Sequence, residues 1–479
     1  MAVRLLTSAL DGTRLRPANG LMGALGHSIP RQGLIDNASG SFVRDIAFSI
    51  GSFPWWVSAL SKGQFIADFA SWGGAVSGTT TQQMVGTGGS AGAQITAAIN
   101  SRASIIPMMV ETNDRPAGFT LDDGSVVTLG NGGTSTIPNT KAMINGLVAA
   151  GKFIPLLVDP PRGTAGLSSP RLSGTQLQYH GGYRDWVLNT APGLWPGRVF
   201  PIDTWPDGQN TVSGLAGDVL DNFTRDGLHP GTLYARPIAQ RVLTVLQGLG
   251  VPLRQVPIQG MIDIYSASNP LGAIAPSTRI GGTGSGSAAM PANQGGVTYA
   301  GNRPSGYSIN SNSAAQGGTM TVTGTRNVAS LNGGQADMYQ LGTSGTSSAT
   351  AGASTTVQYA LSAGDKTPLV AGNKLTVFGE LEIAAGGTGI AGVDLQLIRT
   401  YGGGLVERIR TGYADETTGA LDTLIASSGL SWLADGAGMS VTLDGTETDI
   451  SFYVTVMYQP SATISATVRM RNMAVRRAA

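Results

Sequence analysis

The chain of 479 residues contains no cysteine and only three histidines, His27, His180 and His229. Without thiols, a disulfide scaffold, a thiolate metal site and a cysteine nucleophile are all excluded, while the compartment stays open. The histidines are scattered along the chain, so a histidine-based zinc site is not expected and no metal is called for. Charge is scarce too: Asp, Glu, Lys and Arg make up 12% of the residues, about half the ~25% usual in soluble domains. Thirty basic against 29 acidic side chains leave a net charge of +1. Nothing supplies the basic face that non-specific nucleic-acid binding needs. No apolar run approaches the ~20 residues of a membrane span, and no GxxxxGK[ST] loop is present to cradle phosphates. The opening Met1-Ala2-Val3-Arg4-Leu5-Leu6 lacks the basic region, apolar stretch and cleavage site of a signal peptide, so export by the standard route is not expected.

Glycine is abundant instead, 70 residues of 479, and 41% of the chain is hydrophobic. Twice the usual ~7% glycine with so little charge predicts a folded, turn-rich chain that is partly β-heavy. The texture changes near residue 250. Before it, Phe65–Phe69, Ser104–Val110, Phe153–Val158 and Val199–Ile202 read as buried strands. Between them, Pro138–Ala150 and Tyr234–Leu246 carry apolar residues at helical spacing. That alternation predicts βαβ units and a parallel sheet, an α/β domain over residues 21–250 preceded by an arm at 1–20. After a linker at 251–264, the runs Met320–Thr323, Leu375–Phe378, Val393–Ile398, Asp449–Val456 and Ala466–Val475 alternate with period two. They predict an all-β antiparallel sandwich over 265–479. The Gly281–Ser287 stretch is either a flexible linker or a sheet-edge loop.

Four polar blocks fall near strand ends of the first half: Gly26-His27-Ser28-Ile29, Val76-Ser77-Gly78-Thr79-Thr80, Glu111-Thr112-Asn113-Asp114 and Asp226-Gly227-Leu228-His229-Pro230. Open parallel sheets bind ligands at the carboxyl ends of their strands, which is where these blocks would lie. A serine hydroxyl attacks poorly unless a neighbouring base takes its proton, so Ser28 needs a partner and His229 is the candidate base. Asp226, three residues earlier, can fold back in a tight turn to hold the imidazole tautomer. The tetrahedral intermediate needs fixed donors, and the Ser28 and Gly78 backbone N–H groups with the Asn113 amide can supply them. Taken singly, Ser28 also reads as a helix N-cap, Asn113 as a turn former and Asp226 as a local loop carboxylate. His27 reads as a structural or pocket-wall residue, His180 as a surface or loop residue, and Trp55-Trp56 as core or pocket rim.

Together the blocks resemble those of the SGNH (GDSL-type) hydrolase family of esterases and lipases, over about residues 20–250. The family's Gly-Asp-Ser block is matched by Gly26-His27-Ser28, its Ser-Gly-x-Thr block by Ser77–Thr80, its Gly-x-Asn-Asp block by Glu111–Asp114, and its Asp-x-x-His-Pro block by Asp226–Pro230. Two positions depart from that pattern: His27 stands where the family has Asp, and Glu111 where it has Gly. The resemblance implies a flavodoxin-like parallel sheet and a Ser28–His229–Asp226 triad. It further implies an oxyanion hole of Ser28, Gly78 and Asn113, and a route through an acyl-enzyme without metal or organic cofactor.

The second half contains no histidine, and its texture is similar to the jelly-roll modules of carbohydrate-binding proteins and phage appendages. Its aromatics Tyr339, Tyr359, Trp432, Tyr453 and Tyr458 read as sandwich core rather than sugar-stacking groups. An SGNH-like unit followed by such a sandwich resembles bacteriophage tail fibres and tailspikes. The expectation is therefore an O-acetyl esterase acting on an acylated host capsule or lipopolysaccharide. It would sit in the virion, contact other virion proteins and form a homo-oligomer, a trimer foremost, without nucleic-acid or membrane partners. The rival reading is a non-enzymatic virion fibre or decoration protein that keeps the scaffold for receptor binding or attachment. A cellular polysaccharide or lipid esterase is the third.

Overall fold

Apolar runs too short for helices become strands covered on both faces, and these set the architecture of the first half. The computed structural model describes residues 15–39, 42–86, 92–115, 118–120, 126–128, 136–163, 171–212, 217–224, 226–252, 264–270, 272–274, 286–293, 296–311, 319–331, 337–347, 353–413, 429–435 and 439–478. The expected arm lies outside them as far as residue 14, the expected linker over 253–263, and the glycine-rich stretch over 281–285.

The first half begins β1 (Leu21–Met22), β2 (Leu25–Gly26), α1 (Ser28–Arg31), β3 (Leu34–Ser39), β4 (Phe42–Ser49), α2 (Phe53–Leu60), β5 (Ile66–Ala67) and β6 (Gly74–Ala75). It continues α3 (Thr81–Val85), α4 (Ala93–Asn100), β7 (Met108–Met109), β8 (Gly118–Thr120), β9 (Val126–Thr128), α5 (Thr136–Ala149) and β10 (Ile154–Leu157). It closes with α6 (Gly174–Asp185), α7 (Ala191–Leu194), β11 (Val199–Ile202), α8 (Trp205–Gly208) and α9 (Thr232–Gln247). Five strands form a parallel sheet in the order β11-β10-β7-β2-β6. Successive side chains of a strand point to opposite faces, and the core follows that rule. Met108, Ile154 and Leu156 join the cluster under α4 and α5, whereas Met109 and Leu157 join the one under α2 and α9. On α9, Tyr234, Ile238, Val242 and Leu246 are fully buried, four residues apart and so on one face. At Gly26 the backbone of β7 leaves no room for a side chain, since a Cβ there would run into the Met109 carbonyl.

The second half holds β12 (Ser287–Ala289), β13 (Val297–Pro304), β14 (Ser308–Ser311), β15 (Thr319–Val328), β16 (Met338–Thr346), β17 (Ser354–Ala360), α10 (Ala363–Lys366) and β18 (Lys374–Ile383). Then come β19 (Ile390–Tyr401), β20 (Val406–Tyr413), β21 (Leu430–Asp435), β22 (Val441–Thr442), β23 (Glu447–Tyr458) and β24 (Thr463–Arg477). One sheet runs β12-β13-β15-β16-β24-β18-β21 with β22 beside β18, and the other β14-β17-β23-β19-β20-β4-β3. Inward residues such as Val322, Leu341 and Val468 meet Val357, Leu395 and Val454 in one core. The fold class is thus the expected one, a parallel α/β unit followed by a β-sandwich. Tyr339, Tyr359, Trp432 and Tyr458 are buried, while Tyr453 is half-buried and its hydroxyl accepts from Gln358 Nε2 at 2.8 Å.

The sandwich is mixed rather than purely antiparallel. Its second sheet is completed by the β3–β4 hairpin of the first half, with β4 parallel to β20 and Ile46 opposite Ile409. Asp45 accepts from Nε and Nη2 of Arg408 (3.0 and 2.7 Å) and from Nε and Nη2 of Arg410 (3.1 and 2.8 Å). Trp55 and Trp56 on α2 are both buried, and Trp55 meets Trp432 of β21 edge-on with ring centroids 6.2 Å apart. The two halves therefore share a core. Among the described residues no helix is long and apolar enough to cross a membrane.

Candidate active site

The parallel register decides where the blocks meet. Gly26 lies opposite both Ala75 and Met109, so the chain leaves β2, β6 and β7 at one level of the sheet. Ser28, Gly78 and Asn113 follow two, three and four residues later on the same carboxyl edge. Ser28 is the first residue of α1, and Trp72 Nε1 steadies that helix by donating to the Pro30 carbonyl at 2.9 Å. Gly78 adopts φ +78 with open space where a Cβ would be; its glycine is required by the left-handed turn rather than by crowding. Asn113 Nδ2 donates to the Thr79 carbonyl at 2.9 Å, which fixes the amide against the Gly78 turn. The neighbouring Asp114 accepts from Thr81 N at 2.9 Å, Thr81 Oγ1 at 2.5 Å and Thr136 Oγ1 at 2.7 Å. Burial lifts this carboxyl to about 6 in spite of those bonds.

The fourth block is a tight turn entering α9. Asp226 Oδ1 accepts from the Leu228 and His229 amides at 2.9 and 2.8 Å, and Oδ2 accepts from His229 Nδ1 at 2.7 Å. Burial pushes the Asp226 carboxyl up, but the His229 amide, the His229 ring and the Leu228 amide outweigh it and hold the group below its ordinary value. With the proton on Nδ1, Nε2 of His229 is left as the basic nitrogen. The pair stays open to solvent, with side-chain exposures of 24% for His229 and 35% for Asp226. Gln32, the C-cap of α1, donates from Nε2 to the Pro230 carbonyl. That bond ties the serine-bearing helix to the histidine-bearing turn. The hydrogen bonds of the described residues thus join His229 to Asp226 and Asn113 to the Gly78 turn, while none joins half-buried Ser28, at the start of α1, to His229.

A second group of ionisable side chains lies beneath this edge. His27 is fully buried and caps α1, its Nδ1 accepting from the Ile29 amide at 3.2 Å. Its Nε2 donates to Asp159 Oδ1 at 2.5 Å, and Asp159 Oδ2 accepts from the Glu111 amide at 2.8 Å. Burial alone would raise Asp159, yet His27, Arg115 and the Glu111 amide bring it down to about 2. The Glu111 carboxylate accepts from Arg115 Nη2 at 2.8 Å and from His180 Nδ1 at 3.0 Å. Burial raises that carboxyl as well, and Arg115 and His180 together carry it below the usual range.

His180 is not the surface or loop residue expected from its sequence context. It sits on α6 only 3% exposed, stacked on Trp205 with ring centroids 4.0 Å apart. The face of α6 carrying Tyr179, His180 and Tyr183 packs inward, and Glu111 supplies an acceptor for His180 Nδ1 while Nε2 is buried without a partner. Sequence reasoning also passed over Asp159 and Arg115. Asp159 stands two residues beyond β10, so the rule that picked out the four blocks, a polar residue just past a buried strand, reaches it as well. Among the described residues no group of three or more acidic or histidine side chains is arranged to hold a metal ion.

No family model matches the chain, and no curated protein is similar to it. Among solved structures, a GDSL-like lipase from Bacteroides thetaiotaomicron is similar over 48% of this chain and 88% of its own, with 13% identity and a TM-score of 0.31. An extracellular lipase from Streptomyces rimosus is similar over 48% of this chain and 99% of its own, with 14% identity and a TM-score of 0.28. The enzymatically active domain of tailspike protein 4 from bacteriophage CBA120 is similar over 36% of this chain and 19% of its own, with 12% identity and a TM-score of 0.21. These overlaps are partial, and the chemistry of the site rests on its own geometry.

Proposed function

We propose that the chain is a serine esterase of the SGNH type that removes small acyl groups, O-acetyl foremost, from a polysaccharide. The observation that carries this reading is the Asp226–His229 pair, bonded at 2.7 Å through Nδ1 and tied through Gln32 to the helix that Ser28 begins. Ser28 Oγ attacks the acyl carbonyl while His229 Nε2 takes its proton, and Asp226 stabilises the imidazolium. The tetrahedral oxyanion lies among the Ser28 and Gly78 N–H groups and the Asn113 amide. Collapse expels the sugar alkoxide, which recovers its proton from His229, and leaves an acyl-Ser28. Water then attacks the acyl-enzyme with His229 again as base, releasing the carboxylic acid and free serine.

A groove of about 470 Å³ opens beside α1. Its wall includes Arg31, one turn from Ser28, Asp36 and Arg44 of the β3–β4 hairpin, Phe69, Val76 just before the Gly78 turn, and Met439 of the second half. Charged Arg31, Asp36 and Arg44 beside the Phe69 and Trp72 rings suit a hydroxylated polymer, whose hydroxyls bond the charged groups while its sugar faces rest on the rings. The polymer lies there in our reading, and the host surface polysaccharide met by a phage appendage is the setting that the glycine-rich sandwich favours.

The test is hydrolysis of p-nitrophenyl esters of increasing chain length, and acetate release from an acetylated polysaccharide, by the wild-type protein and Ser28→Ala. Short-chain turnover that vanishes in a folded Ser28→Ala protein is the expected result. Equal turnover by both proteins, or none by the wild type, overturns the esterase reading.

A further inference from the structure

The two positions at which the blocks depart from the family pattern, His27 and Glu111, converge on one residue outside all four blocks. Asp159 spends one oxygen on each: Oδ1 takes the His27 Nε2 proton at 2.5 Å and Oδ2 takes the Glu111 amide at 2.8 Å. His27 and Asp159 are fully buried, so neither bond competes with water. The ring orientation is fixed from its other side as well. Nδ1 accepts the Ile29 amide at 3.2 Å, and a ring nitrogen that accepts an N–H carries no proton. The proton therefore sits on Nε2, directed at the carboxylate.

This arrangement connects two segments that the chemistry must hold in register. Ile29 follows Ser28 on α1, and Glu111 begins the block that ends in Asn113 and Asp114. An oxyanion hole works only if donors from both segments reach one oxygen atom at hydrogen-bond distance. We infer that His27 and Asp159 are positioning residues, a buried strut that fixes the Ser28 turn against the Asn113 loop and so sets the spacing of the oxyanion donors. The role rests on the esterase reading; the strut itself does not. Glu111 belongs to the same construction, since its carboxylate anchors Arg115, whose Nη1 returns to the Pro160 carbonyl at 3.3 Å beside Asp159.

Two substitutions separate the strut from a simple helix cap. His27→Gln places an amide nitrogen near the former Nε2, keeping a donor for Asp159 while losing the acceptor for Ile29. His27→Asn does the reverse, because a short Asn side chain is a good N-cap but falls short of Asp159. The expected result on p-nitrophenyl acetate is that His27→Gln stays within about fivefold of the wild-type kcat, whereas His27→Asn and Asp159→Asn each lose about 100-fold with KM unchanged. That loss is the size expected when reacting groups are displaced by about 1 Å. Wild-type kcat in His27→Asn, or rescue by Asn and not by Gln, overturns the proposal.

A second readout needs neither turnover nor a folded variant. The ¹⁵N shifts of His27 in the wild-type protein should show a bare Nδ1 and a protonated Nε2, and a protonated Nδ1 overturns the strut. A wild type that shows this tautomer but no Ser28-dependent turnover would sink the esterase reading and with it the assigned role, leaving only the bridge between the two segments.

Discussion

Asp226→Asn is the substitution whose outcome the geometry specifies most closely. Oδ1 receives two backbone N–H groups, from Leu228 and His229, so an Asn must keep its carbonyl oxygen there. Its NH₂ then takes the place of Oδ2 and faces His229 Nδ1, a contact of 2.7 Å in the wild type. Two donors cannot share that distance, so the imidazole moves its proton to Nε2 and loses the nitrogen that should accept from Ser28. The tautomer preference is one hydrogen bond to a charged group, ~1.5–3 kcal/mol. The lost attraction between carboxylate and imidazolium adds only about 1 kcal/mol, the value for a pair 4 Å apart in water, since the side chains are 24% and 35% exposed. The sum, about 2.5–4 kcal/mol, corresponds to a kcat loss of about 10²–10³-fold at 1.36 kcal/mol per decade. A fully buried triad loses about 10⁴ on the same exchange. KM for p-nitrophenyl acetate and the melting temperature should hardly change, because both turn bonds survive. A loss below about threefold would refute Asp226 as the residue that orients His229.

Two further substitutions probe the groove and the sandwich. Arg44→Gln should lower kcat/KM on an acetylated polymer several-fold more than on p-nitrophenyl acetate, and equal losses would remove the groove from the substrate's path. Asp394 in β19 is fully buried, and burial lifts its pKa from 3.8 to about 7 against the pull of Arg410, Arg408 and the Gln396 side chain. A carboxyl raised on folding contributes its full stability below about pH 4 and loses it as pH rises to about 7, by at most about 4 kcal/mol. Asp394→Asn does not ionise, so its urea midpoint should gain on the wild type between pH 4 and pH 8. A gap independent of pH would refute this.

What the sequence displayed was whatever short-range pattern controls. Ile154–Leu157 stands out because it is buried throughout, and Val199–Ile202 because its first and last residues are, leaving unbroken apolar runs even with Pro155 and Pro201 inside them. The strands of the second half stand out through alternation, as in β23 and β24. The four candidate blocks drew attention because each sits just past a buried strand or just before a helix. Contacts between distant positions left no such trace. Asp45 and Arg408 are 363 positions apart, so nothing near either announces that a first-half hairpin completes a second-half sheet. His180 looked like a loop residue because its acceptor, Glu111, lies 69 positions away. The departures His27 and Glu111 appeared as two separate oddities until Asp159 made them one.

The shared sheet bears on function as well as on folding. The hairpin that pairs with β20 also carries Asp36 and Arg44 to the groove beside α1, and Met439 reaches that groove from the second half. The position of its wall relative to Ser28 is therefore set by sandwich packing, not by a flexible tether. Asp45 is 8% exposed, and its four bonds to Arg408 and Arg410 are all made to second-half residues. Separating the halves would break all four of those bonds and would uncover Trp55, which rests on Trp432. Losing one partner of a buried ion pair costs more than the pair contributes. The α/β unit and the sandwich thus share a sheet and a core, and a polymer in the groove would touch both at once.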